Sequence, residues 1–442
     1  METDKVSEST TSAQSLNKSQ KRYRTYVLFI LTVVYAFNFI DRQIIGILSP
    51  FIQADLGLTD TQLGWLKGIY FALLYTVFGI PIAWLADRYN RVNIIAISLT
   101  MWSGFTALSG LATNYTQLAL ARIGVGIGEA GGSPPSHSII SDLYPKEQRA
   151  GALAIYSLGI PFGIMMAFFA SAFFLTGGSA DWRIVLMSVG LPGVALAILM
   201  KFTVKEPARG ADSKASEKQH VPFVQALKTL LTIPTWWGMC LGISFGSFSS
   251  YAVSTWIIDF YVRAYPGLDI TQLLIAMGII NGTAYALGVF LGGYVTDKLG
   301  AKNKKAYGLV PMTMMIIGAP CFYIALQVDS LWGSLALMTI VLFTSGTYLG
   351  PCFAIAQTLA PVKVRAMSTA LFFFVLNLIA LGGGPTAVGI LSGYLTEDLG
   401  SVEALRVSLS WLMVPITLSI LAFFWTSSRV QKDWDIAEKR NI

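Results

Sequence analysis

Two guanidinium and two carboxylate groups stand inside otherwise apolar runs of this chain. Arg122 and Glu129 lie in ARIGVGIGEAGGSPPSHSII, residues 121–140, seven positions and about 10 Å apart on one helix face, which Ser133 and His137 continue at four-residue steps. Asn38, Asp41 and Arg42 form a second group, in which Asn38 and Arg42 stack at i, i+4 with Asp41 beside them. A guanidinium holds a phosphate or carboxylate through paired hydrogen bonds, which lysine reproduces only in part. A buried carboxylate near an arginine can alternate between ion pair and neutral acid, which is a physical route to proton coupling. Buried ion pairs that only fix helix register are the plainer reading. The cost of dehydrating four charges in an apolar span weighs against it, because ionisable residues there normally face a cavity or a polar path.

The rest of the chain explains what must position these groups. Its 442 residues are 54% hydrophobic and 12% charged, which excludes a soluble protein. The apolar runs are long enough for helices across a hydrocarbon core of about 30 Å and lack the alternation of membrane strands. Cys240, Cys321 and Cys352 lie in apolar segments with neither metal-ligand nor disulfide spacing, so no metal is expected. Gly126, Gly128 and Gly131 spell G-x-G-x-x-G, and Gly242, Ser244 and Gly246 spell G-x-S-x-G, but neither follows a strand. Both read as helix-packing glycines, and Gly124, Gly128 and Gly132 repeat at a spacing that admits a second helix closely. With no credible nucleophile, metal cluster or nucleotide loop, an enzyme is not expected, and no cofactor is expected beyond protons as the coupling ion.

Twelve apolar spans begin near residues 23, 60, 92, 116, 149, 182, 234, 271, 306, 331, 366 and 403. The polar residues 1–22 carry no apolar core, so no signal peptide is visible and a disordered tail is expected. The implied organisation is a bundle over 23–203, a linker over 204–230, a second bundle over 231–428 and a tail over 429–442. Within the linker, VPFVQALKTLL suits either a short amphipathic surface helix or further disorder. Of the 31 Lys and Arg, Arg183, Arg263 and Arg406 alone fall in the segments opposite the termini, while Arg42, Lys67 and Arg122 fall within spans. By the positive-inside rule both termini are cytoplasmic, and the net charge of +7 encodes orientation rather than a nucleic-acid partner.

The two halves repeat. AWLADRYNR after the second span is answered by GYVTDKLGAK after the eighth, and PKEQRA, residues 145–150, by PVKVRA, residues 361–366, at nearly the same offset. Such duplication is expected of a secondary transporter. These paired loops resemble the major facilitator superfamily over almost the whole chain. The resemblance implies an all-α membrane protein with twelve transmembrane helices in two six-helix bundles, the first, fourth, seventh and tenth lining a central cavity. It also implies a cytoplasmic clamp built from Asp87, Arg88 and Arg91 with Asp297 and Lys298. Asn90 departs from the glycine the family prefers, and asparagine tolerates a left-handed turn better than most residues.

FNFIDRQIIGILSPFIQADLGLTDTQLGWL, residues 37–66, and RIGVGIGEAGGSPPSHSIISDLYP, residues 122–145, resemble the Spinster family, whose animal members export sphingosine phosphate or lysophospholipids. The match is strong over the first four spans and weaker beyond. It implies a proton-coupled secondary active transporter, working by alternating access in the inner membrane on an amphipathic anionic lipid. A proton-driven exporter of drugs or small organic anions is the alternative. Counted inward from the outer helix ends, Asp41 lies about 16 Å deep, Arg122 about 9 Å and Glu129 about 20 Å, so the charges overlap in depth. Asp41 and Glu129 are the expected proton sites. Asn38, Arg42, Arg122 and Ser133 are expected to meet a headgroup, and Phe248, Tyr251, Tyr348 and Phe373 an apolar tail. His137 is a possible relay, although a hydrogen bond to a neighbouring helix is the plainer reading. Lys67 is expected to snorkel and Asp259 to sit at the interface or meet a basic residue in an outer gate. Gly159, Pro161 and Gly163 would permit bending at a gate. The lipid bilayer and a small amphipathic substrate are the expected partners, and the chain is expected to act as a monomer.

Overall fold

The computed structural model describes residues 18–175, 181–208, 223–361 and 364–441, and all regular elements among them are helical. Span 1 is Lys18–Leu56, so Lys18 to Arg22 are already helical, whereas residues 1–17 of the expected tail lie outside the described residues. Span 2 comprises Asp60–Lys67 and Ile69–Arg88, span 3 Arg91–Ser109, span 4 Tyr115–Glu129 and Ser133–Leu143, span 5 Lys146–Ser157 and Gly159–Leu175, and span 6 Trp182–Thr203. Spans 7 to 10 are Pro234–Ala264, Ile270–Gly300, Ala306–Gln327 and Leu331–Thr358, the last broken after Gly346. Span 11 begins at Arg365 and turns into span 12 at Gly400, whose φ of 75° a side chain would strain. Helix then continues through Met413–Asn441. Phe223–Leu231 forms the short linker helix, with Leu230 buried, while residues 209–222 lie outside the described residues.

Local chemistry sets the starts. Thr59 and Gln62 close a capping box on span 2, and Asn114 accepts from the Gln117 N–H at the head of span 4. Asn90 has φ −60° and is not left-handed; instead its side chain accepts from the Asn93 N–H and caps span 3. The departure from glycine therefore serves the next helix rather than the turn.

Helical breaks recur in corresponding spans of the two halves. Span 2 breaks at Gly68 and span 8 carries a π-turn at Asn281–Tyr285; span 4 breaks before Ser133 and span 10 before Leu349; span 5 breaks at Leu158 and span 11 carries a π-turn at Asn377–Gly382. Such interruptions inside membrane helices free backbone groups only where protein or a cavity can satisfy them.

We name the end that holds both described termini the inner end. The halves are closed at the outer end, where one apolar core runs without interruption from Ile44, Leu48 and Leu63 into the C-terminal bundle at Trp256, Phe260 and Leu274. A separate core around Leu31, Leu99, Trp102 and Ile139 fills the inner part of the first bundle. At the inner end Asp87, Arg88, Asp297 and Lys298 are exposed, so the halves stand open there. Within their own halves, Arg88 lies 3.9 Å from the Trp84 ring and Asp297 accepts from the Tyr307 hydroxyl at 3.1 Å.

Arg91 differs from its neighbours in the motif. It is buried and ties span 3 to the ends of spans 4 and 6, donating to Asp142 at 2.5 Å, Glu206 at 2.6 Å and Ser138 at 2.8 Å. Arg91→Ala removes the cation that donates to both Asp142 and Glu206, and a loss of about 2 kcal/mol or more is expected. A thermal melt of the purified protein should fall by several degrees; an unchanged midpoint would show that this cluster does not hold the bundle.

Candidate functional site

The charged groups of spans 1 and 4 do meet, in a crossed arrangement that helix faces alone do not give. Arg42 Nε donates to Glu129 Oε2 at 2.6 Å, with side-chain exposures of 13% and 0%. The guanidinium also lies 4.6 Å from the Tyr75 ring, 5.1 Å from Phe39 and 5.4 Å from Phe71, where ring faces favour a cation. Arg122, on the same helix as Glu129, reaches the backbone oxygen of Asp41 at 3.3 Å and is sealed from the cavity. Of the two arginines expected to meet substrate, only Arg42 is partly open in this conformation.

Asp41 is fully buried and neither of its carboxylate oxygens has a hydrogen-bond partner. Trp102 and Thr106 stand beside it, each with an unpaired polar atom. Asn38 is likewise buried and unpaired beside Glu129, whose Oε1 is also free.

Small residues bring the backbones together. A Cβ on Gly128 would sit 2.6 Å from the Trp102 nitrogen, and one on Gly124 2.5 Å from the Phe105 ring, so span 4 presses on span 3 at the four-residue glycine repeat. Ser133 and His137 are not on an unbroken continuation of the face, because the turn at residues 130–132 intervenes. His137 is exposed toward the open end and meets Tyr156 edge-on at 5.2 Å, while Tyr156 stacks on Tyr35 at 4.3 Å.

From the other half, Tyr251 packs against both apolar cores, the Tyr348 hydroxyl bonds Ser250 at 3.0 Å, and Phe248 packs on Gly383 of span 11. Phe373 is half-exposed and stacks on Phe353 at 5.0 Å. A void of about 50 Å³ between Gly246, Val253, Phe322 and Leu342 lies inside this bundle. At about 10 to 15 Å³ per water on this measure it holds a few waters and cannot take a lipid chain. Tyr35, Tyr75 and Phe39 line the site and were not legible, since aromatics in apolar helices carry no distinguishing pattern.

Lys67 corrects its expectation, and Asp259 takes the second of its two, meeting a basic residue rather than the interface. Lys67 does not snorkel and Asp259 is not interfacial: both side chains are 0% exposed and pair at 2.7 Å across the two halves. Ser49 donates to the same Asp259 oxygen at 2.6 Å, and the Lys67 ammonium lies 3.5 Å from the Trp256 ring. Toward the surface Arg263 grips both oxygens of Asp60 at 2.6 and 2.8 Å and Gln53 at 2.8 Å. Gln43 and Ser254 exchange two bonds farther in, so spans 1 and 7 are zipped at 43, 49 and 53 against 254, 259 and 263. Spans 2 and 11 close the other seam, where a Cβ on Gly389 would meet the Gly64 Cα at 2.6 Å.

Residues 31–385 match the profile of the Major Facilitator Superfamily. The chain belongs to this family. A crystal structure of a bacterial homologue of the human lysosomal transporter Spinster, in an inward-facing and unoccupied conformation, superposes with a TM-score of 0.82 at 29% identity, covering 93% of this chain and 98% of that one. Protein spinster homolog 3 of Danio rerio is 28% identical over 96% of this chain and 89% of its own length. An MFS-type efflux pump of Mycolicibacterium smegmatis is 29% identical over 91% of this chain and 92% of its own. The protein is therefore a multi-pass membrane transporter of the major facilitator fold related to the Spinster proteins, and not an enzyme.

Proposed function

We propose that this transporter moves an amphipathic anion of lysophospholipid or sphingosine-phosphate type, coupled to protons, by alternating access. The observation that carries the reading is the Arg42–Glu129 pair, in which a partly exposed guanidinium held among Phe39, Phe71 and Tyr75 meets a fully buried carboxylate. An anionic headgroup competes with Glu129 for Arg42, and Glu129 released from Arg42 takes a proton because a lone buried carboxylate is costly. Anion binding and proton uptake are thereby linked at one guanidinium. Asp41, buried beside Trp102 and Thr106, is assigned the second proton, and Asn38 and Ser133 flank the headgroup. Arg122 waits behind Asp41 and joins when the site rearranges. Tyr251, Phe248 and Phe373 offer wall for the chain, whereas Tyr348 is buried in the bundle core in this conformation.

The charge distribution supports an inner-membrane location with both termini cytoplasmic, so the present conformation is inward-open, with Asp87, Arg88, Asp297 and Lys298 exposed at the open end. The chain is taken to work as a monomer. The likeness to an efflux pump favours a second reading, a proton-driven exporter of drugs or small organic anions. Uptake into proteoliposomes under an imposed pH gradient separates the two. Lysophospholipid or sphingosine phosphate is expected to accumulate and cationic drugs are not; movement of cationic drugs alone would overturn the lipid reading.

A further inference from the structure

The outer seam holds four charges, and their positions along the helices do not treat them equally when the seam parts. Each ion pair crosses the halves: Lys67 of span 2 meets Asp259 of span 7, and Asp60 of span 2 meets Arg263 of span 7. Opening the outer end pulls both apart. Asp259 and Arg263 are four residues apart on one helix, the spacing at which an acid and a base pair along a helix face. Asp259 Oδ1 is buried and has no partner even in the closed state, so it has an acceptor ready for Arg263. Asp60 and Lys67 are seven apart, about 10 Å along the axis, beyond direct contact. Asp60 also sits at the helix start, with Ser392 and Gln53 bonded to it in the closed state, whereas Lys67 lies two turns deeper against Trp256. The open seam therefore has one cation whose partner has gone to another residue.

We infer that Lys67 is an anion-binding site of the outward-open state, exposed by exchange of Asp259 from Lys67 to Arg263, and that it takes the phosphate or carboxylate of the transported amphiphile. The inference rests on the alternating-access reading above. In the closed state Asp259 occupies the ammonium and no anion can reach it, as both side chains are fully buried. In the open state an anion restores to Lys67 the charge that Asp259 supplied. The ligand thus stabilises the state in which it meets the outer side, and its departure lets Asp259 return and the seam close.

The test is a labelling rate in proteoliposomes. Thr61→Cys places a reporter on the seam against Gly393, with Cys321→Ala in the background because Cys240 and Cys352 are buried. Octyl phosphate, added outside below its micellar concentration, should speed reaction of the reporter with an impermeant maleimide by about tenfold, what one charge-assisted hydrogen bond supports. Lys67→Arg should keep the acceleration. Asp259→Asn should label faster without ligand, since it strands Lys67 in the closed seam, and still respond. The double variant Lys67→Gln with Asp259→Asn, which leaves no lone buried charge, should lose the response. Inorganic phosphate in a parallel arm assigns the site to free anions if it also accelerates labelling, and to the amphiphile's headgroup if it does not; both uphold an anion site at Lys67. Uptake is scored in the same vesicles. An undiminished response in the double variant, with uptake by the parent intact, overturns the inference and leaves the transport reading standing. No uptake by the parent of any anionic amphiphile overturns the transport reading, and the inference with it.

Discussion

Glu129→Gln is expected to abolish accumulation driven by a pH gradient, by about a hundredfold, while exchange of substrate without a gradient survives. Glutamine keeps the shape and a carbonyl oxygen for Arg42 but carries no removable proton, so the variant mimics a permanently protonated site. The Arg42 guanidinium then loses a charge-assisted bond of 2.6 Å and stays available to an anion throughout the cycle. Two free energies of about 1.4 kcal/mol each make up that hundredfold loss, within the range of one buried ion pair. Asp41→Asn is expected to act in the same direction with a smaller effect on binding, because Asp41 touches Arg122 through its backbone oxygen, which the substitution retains. Gradient-driven uptake and gradient-free exchange are measured for each variant and for the pair. A double variant that still concentrates substrate against a pH gradient removes these carboxylates as the proton site and moves the search to His137, which is exposed toward the open end.

The charged residues of the candidate site were visible in the sequence because charge inside an apolar span is rare. Their partners were not. Arg122 and Glu129 share a helix face, which suggests pairing with each other, yet Glu129 meets Arg42 across 87 positions of sequence. Helix periodicity gives the face of one helix and says nothing of which neighbour it meets. The Lys67 and Asp259 pairing is a stronger case: each residue alone looks like one that keeps its charge in water, and only the closed seam buries both. Their contact depends on how the two halves dock, which neither residue's own helix encodes. The duplicated loops fared differently. Their spacing located the inner end of spans 2 and 8, but Arg91 turned out to be buried inside its own half while Arg88 is exposed, a distinction set by the carboxylates of Asp142 and Glu206 arriving from elsewhere.

Breaks in the helices were partly legible. Gly68 lies within a run that composition reads as one span, and Gly131 and Gly132 within another, so glycine marked the places without saying that the helix would stop. The π-turns at Asn281–Tyr285 and Asn377–Gly382 also contain glycines, Gly282 and Gly382, but glycine does not distinguish a π-turn from a break or from close helix packing. Both lie in spans that answer the broken spans 2 and 5 of the first half, so the duplication would have located them had the internal repeat been extended from loops to helix interiors.

Arg42→Ala should weaken an anionic amphiphile by about a hundredfold and a neutral one of the same chain length by no more than about threefold. The size of the difference follows from what Arg42 alone does: it is the guanidinium of the site with any exposure, and three rings surround it. A charge-assisted bond to phosphate or carboxylate contributes about 1.5 to 3 kcal/mol, which a neutral headgroup does not gain. Alanine also leaves Glu129 without its cation, and neutralisation of that carboxyl removes the penalty without restoring an anion receptor. Lysine at the same place should recover part of the affinity, because the ammonium keeps the charge but not the paired geometry. Arg122→Ala, by contrast, removes a group that is sealed behind Asp41, so its effect should fall on the rate of transport more than on binding from the inner side. Binding of the charged and neutral amphiphiles to purified protein, measured by calorimetry for all three variants, reads these differences directly. Equal losses for both amphiphiles in Arg42→Ala would mean that the aromatic wall of Phe39, Phe71 and Tyr75 collapses into the space the guanidinium held, and that Arg42 supports the cavity rather than the anion.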